Sequence, residues 1–136
     1  MASIHQQITI EVPADRLWSA LRDVGALHTR LVKDFVTGCT LECEVRTVTF
    51  ANGIVAQETI VDIDEAWQRV AWTATGGRLT HHNASAQVVA EGGRRCRVVW
   101  IADLLPHAMA PAIAAMIEQG LRAMKATAEA AAQPAA

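Results

Sequence analysis

The strongest constraint on the fold is a change in the spacing of apolar residues near Pro106. Between Thr40 and Ala102 apolar residues alternate with polar ones, which is typical of strands with one buried face. After Pro106 apolar residues recur every three to four positions, which predicts one long amphipathic helix. Only this helix is long enough to cover the sheet. We therefore expect an α+β domain in which a curved antiparallel sheet wraps around a long C-terminal helix and leaves an internal apolar cavity.

The N-terminal segment adds a strand and two short helical elements. Alternating residues from Ile4 to Val12 predict a half-buried strand, which Pro13 ends. Helical spacing then predicts a helix that closes at Gly25, followed by a short helix or turn over 26–32. A chain of 136 residues suits one domain. We expect that domain to span 1–128 and to be followed by a frayed tail over 129–136.

The composition and charge of the chain limit the classes of molecule that we expect it to bind. Apolar residues make up 51% of the chain and the net charge is −2, with acids and bases interspersed. We therefore expect no nucleic-acid binding and no docking to an anionic membrane. No apolar run is long enough for a membrane span or a signal peptide. The three cysteines are odd in number and lack CxxC spacing, so we expect reduced thiols in a cytoplasmic protein.

The Asn52-Gly53 pair predicts a β-hairpin. If its loop has two residues, Arg46 lies opposite Thr59, Gln57 faces the apolar interior and Glu58 faces out. A register error of one residue would reverse this assignment. The predicted inner face also contains Val48, Phe50, Val55, Val61 and Ile63.

Two inner-face residues are candidates for chemistry. His82 shares its face with Ala84 and Ala86, so its imidazole is either a general acid or base in a dry cavity or a hydrogen-bonded structural group. Arg46 among apolar neighbours needs an anion. A ligand carboxylate, enolate or phenolate would serve, as would an internal acid such as Glu42 or a position at the sheet edge from which the charge reaches water.

Aromatic and sulfur-containing side chains predict the rest of a pocket lining. Trp72 and Trp100 occupy inner positions from which an indole ring stacks on a flat ligand. The apolar stripe of the long C-terminal helix is expected to cover the pocket from the other side. The predicted ligand-binding residues are Trp72, Trp100, Phe50, Val48, Gln57, His107, Ile113 and Met116.

Several segments of the chain, taken in their order, follow the pattern of one known superfamily. They are VPADRLW from Val12, the Asn52-Gly53 hairpin, Ile63-Asp64, RVAW from Arg69, and Val98-Val99-Trp100. Through them the chain resembles the START/Bet v1-like superfamily, in particular its bacterial polyketide cyclase/dehydrase and lipid-transport (SRPBCC) branch. The resemblance covers about residues 4 to 128 and is specific for fold rather than for activity. It implies a helix-grip fold with a deep hydrophobic cavity.

In a helix-grip fold the start of the long helix and the short helix lie near one end of the cavity. This implies that Asp103, His107 and His28 approach the pocket. Asp103 is also a candidate cap of the long helix. The predicted catalytic set is therefore His82, Arg46, His28 and Asp103.

Two functions stay open at this stage, and the sequence favours the first, an enzyme, over the second. One is a cofactor-independent cyclase, dehydrase or lyase that uses acid–base chemistry on an aromatic or polyketide-like carbonyl compound. The other is a non-catalytic carrier of a lipid-like or aromatic metabolite. The sequence contains no P-loop, GxGxxG, GxSxG or HExxH motif, so we expect neither a cofactor nor a metal. The expected partner is a small hydrophobic or aromatic ligand, and whether the chain forms a homodimer stays open.

Overall fold

The computed structural model describes residues 2–75 and 77–132. Seven antiparallel strands of this part of the chain form one sheet in the order β1-β7-β6-β5-β4-β3-β2. Two helices, α1 (Ala14–Leu21) and α2 (Ala110–Ala132), are joined to the sheet by a π-helical turn at Leu27–Leu31 and a 3₁₀ turn at His107–Met109. The strands are β1 (Ala2–Ile10), β2 (Val36–Glu42), β3 (Val45–Phe50), β4 (Val55–Asp64), β5 (Arg69–Thr75), β6 (His81–Ala90) and β7 (Cys96–Leu105).

Helix α2 covers the inner face of the sheet, which confirms the predicted architecture. Its apolar stripe is buried, with Ile117 fully inaccessible to solvent. Polar contacts tie it to β1: the Gln6 amide donates to the Ala114 carbonyl over 2.9 Å, and the Lys125 ammonium donates to the Thr9 carbonyl over 3.0 Å. Among the described residues, no helix is both long and apolar enough to cross a membrane.

The end of α2 lies within the segment that we expected to form the tail. The helix continues to Ala132, three residues beyond Glu129, where we expected fraying to begin. The Glu129 carboxylate accepts hydrogen bonds from the Glu11 backbone N–H over 2.9 Å and from Lys125 over 2.6 Å. These contacts fasten the last turns to the strand–helix connection. The remainder of the predicted tail, 133–136, lies outside the described residues.

At Gly120 the backbone of α2 lies close to side chains of the core. A Cβ atom at this position would lie 2.8 Å from Cζ3 of Trp100 and 3.3 Å from Cε2 of Phe35. The glycine therefore makes room for an indole ring.

The predicted register of the β3–β4 hairpin is wrong by one residue. Arg46 pairs with Glu58, not with Thr59. The loop has three residues rather than two, because the Phe50 N–H donates to the Ile54 carbonyl and Gly53 adopts a φ of 89°. A turn that ends in a left-handed residue is the usual three-residue hairpin, and Asn-Gly suits it as well as the two-residue type.

This register reverses the predicted faces of β4. Glu58 faces the interior and is 9% exposed, whereas Gln57 is exposed to solvent. Val55 and Val61, predicted to be internal, are 58% and 62% exposed, and Ile63 is 37% exposed. Val61 lies at a register shift between Ile60 and Asp62, where a bulge interrupts the alternation. The predicted inner faces of β5, β6 and β7 agree with the observed burial.

Candidate functional site

An internal cavity of about 50 Å³ lies between the inner face of the sheet and α2. Its wall is apolar except for Arg46 and Glu58. Five of the predicted ligand-binding residues line it, together with side chains from the π-helical turn and its flanks. Those five are Val48, Phe50, Trp72, Trp100 and Met116.

Arg46 and Glu58 form a buried ion pair in the cavity wall. The Arg46 Nε atom donates to Glu58 Oε1 over 2.7 Å, and Nη1 donates to the Val24 carbonyl over 3.3 Å. Arg46 is only 4% exposed, and its guanidinium carbon lies 5.2 Å from the centre of the Trp72 ring. The anion that a buried Arg46 requires is therefore an internal acid. It is Glu58 from the paired strand rather than Glu42.

Two tryptophans form the wall beside this ion pair. The rings of Trp72 and Trp100 meet edge to face, with centroids 5.7 Å apart. The Nε1 atom of Trp100 is buried and has no hydrogen-bond partner.

A surface depression of about 320 Å³ adjoins the cavity between the β3–β4 loop and α2. The cavity and the depression share Phe35, Phe50 and Met116. The two phenyl rings meet edge to face at a centroid distance of 5.5 Å. These three side chains therefore separate the internal cavity from the surface.

His82 lies on the inner face but not in the cavity wall. It is 7% exposed, and neither ring nitrogen has a hydrogen-bond partner. Glu58 pairs with Ala74, and the register that pairs Thr73 with Asn83 places Ala74 beside His82. Burial lowers the pKa of His82 below 6.5, and the negative charge of Glu58 opposes this shift. The imidazole is therefore neutral near pH 7.

Stability should fall in mild acid because of His82. Its folded-state pKa lies below the ordinary value of 6.5, so the unfolded chain binds a proton first as the pH falls. The free energy of unfolding is then highest above pH 6.5 and decreases between that pH and the folded-state pKa. We expect His82→Leu to reduce the slope with which the free energy of unfolding, measured by urea denaturation, changes over this pH range. An unchanged slope in His82→Leu would contradict the assignment.

The other predicted polar site residues do not converge on the cavity. Asp103 is exposed and accepts a hydrogen bond from the Ser3 hydroxyl. It does not cap α2, because β7 continues to Leu105, and the alternation that buries Ala102 and Leu104 turns Asp103 outward. His107 is exposed on the 3₁₀ turn.

The remaining predicted site residues also lie outside the cavity wall. His28 is partly buried on the π-helical turn, with Nδ1 unpartnered, but it does not line the cavity. Ile113 is buried one turn before Ile117 and is likewise absent from the wall. Gln57 is on the outer face. Of the four predicted catalytic residues, only Arg46 reaches the cavity.

Sequence reasoning missed Glu58 and Phe35 as site residues. A signal for Glu58 was present, because a buried Arg46 requires an acid and Glu58 is its direct partner in the three-residue-loop register. Phe35 follows the short helical turn, where no periodic pattern assigns a face.

No group of three or more His, Cys, Asp or Glu side chains in the described ranges is arranged to hold a metal ion. The cysteines have free thiols, and burial is the main cause that raises the pKa of Cys96 to about 11. That thiol is therefore protonated and unreactive at neutral pH.

A family model described as polyketide cyclase/dehydrase and lipid transport matches residues 1–129. The chain belongs to this family. The match to the polyketide cyclase/dehydrase and lipid transport family spans all seven strands given above and all but the last three residues of α2. A search of curated proteins finds no match.

Solved structures agree on the fold of this family member. A START superfamily protein from Mycobacterium smegmatis superimposes with a TM-score of 0.79 at 12% identity, covering 95% of this chain and 98% of that one. The Zhui aromatase/cyclase from Streptomyces sp. R1128 gives 0.75 at 16% identity, with coverage of 97% and 96%. Norcoclaurine synthase from Thalictrum flavum gives 0.74 at 15% identity, with coverage of 98% and 95%. At these identities the similarity establishes the fold.

Proposed function

We propose that this protein binds a compact, mostly apolar ligand in the core cavity and holds a polar group of that ligand beside the Arg46–Glu58 pair. The observation that carries this proposal is an apolar cavity in the core with a buried ion pair in its wall. Protein cores are normally close-packed, and a buried ion pair contributes little net stability. Ligand binding accounts for the presence of both features at one place.

Ligand size requires the cavity to open. The cavity of about 50 Å³ has room for little more than water, whereas ligand pockets usually measure about 300–1,000 Å³. Movement of Phe35, Phe50 and Met116 would join it to the adjacent depression of about 320 Å³. We therefore assign these three side chains to the ligand entrance.

Native mass spectrometry of freshly purified protein tests the binding proposal directly. We expect a retained small molecule or, after denaturation and refolding, saturable one-to-one binding of 1-indanone or indane. These two compounds are compact bicyclic probes that differ in one carbonyl group. Protein that retains nothing and binds neither probe would contradict the proposal.

Truncating a side chain at the proposed entrance should speed ligand exchange. In Phe50→Ala the ring between cavity and surface is removed, so we expect the association rate constant of 1-indanone to rise several-fold in stopped-flow tryptophan fluorescence. Ile54→Ala is the matched control, because Ile54 lines the depression but not the cavity. An equal acceleration in both variants, or none in either, would contradict the assignment of the entrance.

A cofactor-independent cyclase, dehydrase or lyase activity is the second candidate function. It is supported by His82, whose buried neutral imidazole has no hydrogen-bond partner. In the sheet, His82 and Glu58 lie on either side of Ala74. A neutral imidazole can accept and return a proton without a cofactor. If a retained ligand is turned over, we expect His82→Gln to lose at least about a hundredfold in kcat. Full activity in that variant would remove His82 from the mechanism.

A further inference from the structure

Trp100, a residue of the cavity wall, has a buried indole N–H group without an acceptor. Among the described residues, buried side-chain nitrogens without a partner belong to His28, His82, Arg97 and Trp100, and only Trp100 lines the cavity. A buried indole N–H normally finds an acceptor. Trp18 shows this elsewhere in the molecule, since its Nε1 atom donates to Glu65 over 2.7 Å. The unpaired Trp100 donor therefore marks a position where the fold leaves an acceptor to be supplied.

The surrounding residues limit the movement of the Trp100 ring. The backbone of Gly120 lies so close that an added Cβ would be 2.8 Å from ring atom Cζ3 and 3.2 Å from Cη2. Phe35 approaches the same position, and Trp72 meets the ring edge to face. Because these neighbours limit rotation of the ring, the N–H direction is set before any ligand arrives. A preorganised donor discriminates between ligands that do and do not offer an acceptor.

The charge of the neighbouring groups limits which acceptor fits. Arg46 already donates to Glu58 over 2.7 Å, so the positive charge nearest the cavity has an internal counter-ion. A ligand carboxylate would place a second buried anion beside Glu58, and burying an uncompensated charge is costly. An uncharged carbonyl oxygen carries no such cost.

We infer that Trp100 Nε1 donates a hydrogen bond to an uncharged carbonyl oxygen of the bound ligand and thereby selects neutral carbonyl compounds over hydrocarbons and carboxylates. This inference rests on the proposed function, because it takes the core cavity as the binding site. It assigns to Trp100 a specificity-determining role.

Substitution Trp100→Phe tests the role, because it keeps a planar apolar ring and removes the N–H group. By calorimetry we expect wild-type protein to bind 1-indanone more tightly than indane or indane-1-carboxylate. In Trp100→Phe the affinity for 1-indanone should fall about tenfold, the equivalent of one net hydrogen bond, while that for indane stays within about twofold. Trp18→Phe is the control, because its N–H contacts Glu65 and not the cavity. It should leave both affinities unchanged.

A second measurement covers the case in which Trp100→Phe does not fold. In wild-type protein labelled with ¹⁵N, 1-indanone should move the Trp100 indole N–H signal downfield, and indane should not. Equal affinities of wild type for indane and 1-indanone would overturn the inference while leaving the binding proposal intact. The same holds for an indole signal that indane and 1-indanone shift alike. Tighter binding of indane-1-carboxylate would overturn the selection for a neutral ligand. Failure of all three probes to bind would instead count against the proposed function.

Discussion

Replacing Arg46 with methionine is expected to lower the free energy of unfolding by about 3–5 kcal/mol at pH 7. The substitution keeps most of the side-chain volume but leaves the Glu58 carboxylate, 9% exposed, without its cation. A lone buried charge is far more costly than a buried pair. Urea denaturation followed by circular dichroism measures the change. We expect Glu58→Leu to be destabilising for the same reason, because it leaves the Arg46 guanidinium unpaired.

The double variant separates this explanation from simple loss of packing. Arg46→Met combined with Glu58→Leu removes both charges, so we expect its stability to return to within about 1–2 kcal/mol of wild type or to exceed it. The surface pair Arg22–Glu65 is the control, since both side chains are about half exposed, and Arg22→Met should cost less than about 1 kcal/mol. A double variant as unstable as the sum of the single ones would show that the charges are not coupled as described.

Gly120→Ala is expected to destabilise the protein, although helix propensity alone predicts the opposite. Alanine in place of a mid-helix glycine should gain about 1 kcal/mol. Here the new Cβ would meet Trp100 at 2.8 Å and Phe35 at 3.3 Å, and overpacking of this kind costs about 1–3 kcal/mol. We therefore expect a net loss of up to about 2 kcal/mol in urea denaturation.

A matched substitution on the exposed face of the same helix checks the propensity scale. Ala126→Gly, at an exposed position of α2, should lose about 1 kcal/mol. If Gly120→Ala instead gains that amount, Trp100 has room to move, and the tight contact between α2 and the sheet is absent. In Gly120→Ala combined with Trp100→Phe, the smaller ring should recover part of the loss.

Faces of regular elements were predictable from spacing because burial follows the period of the backbone. The alternation that places Trp72, His82 and Trp100 inward is a property of β5, β6 and β7 alone and needs no knowledge of their partners. The apolar stripe on α2 likewise follows from the sequence of that helix alone. Five of the eight predicted ligand-binding residues line the cavity for this reason.

Strand register was not predictable from the turn residues alone. Asn52-Gly53 suits loops of two and of three residues, and the choice shifts every partner of β3 by one position. The requirement for an acid beside Arg46 favours the observed register, because only that register pairs Arg46 directly with Glu58. The bulge near Val61 left no comparable sequence signal.

Convergence of side chains on one cavity depends on where elements end and how the sheet curves. Asp103 was a predicted catalytic residue and a candidate helix cap, but β7 continues to Leu105, so Asp103 stays in the strand and faces out. His82 has the predicted face but lies beyond the cavity wall. Tertiary packing determines where along a face each side chain lies relative to the cavity. The spacing of apolar residues in the sequence carries no information on this.

The central claim is that the space between α2 and the inner face of the sheet is a ligand site, and methyl-resolved NMR tests it most directly. Titration with 1-indanone should shift the methyl signals of Val48, Met116 and Met124, which line the cavity. The signals of Val61 and Val99, which line a groove on the outer face of the sheet, should stay unchanged. Shifts confined to those outer-face methyl groups, or no saturable shift at Val48, Met116 and Met124, would contradict the account.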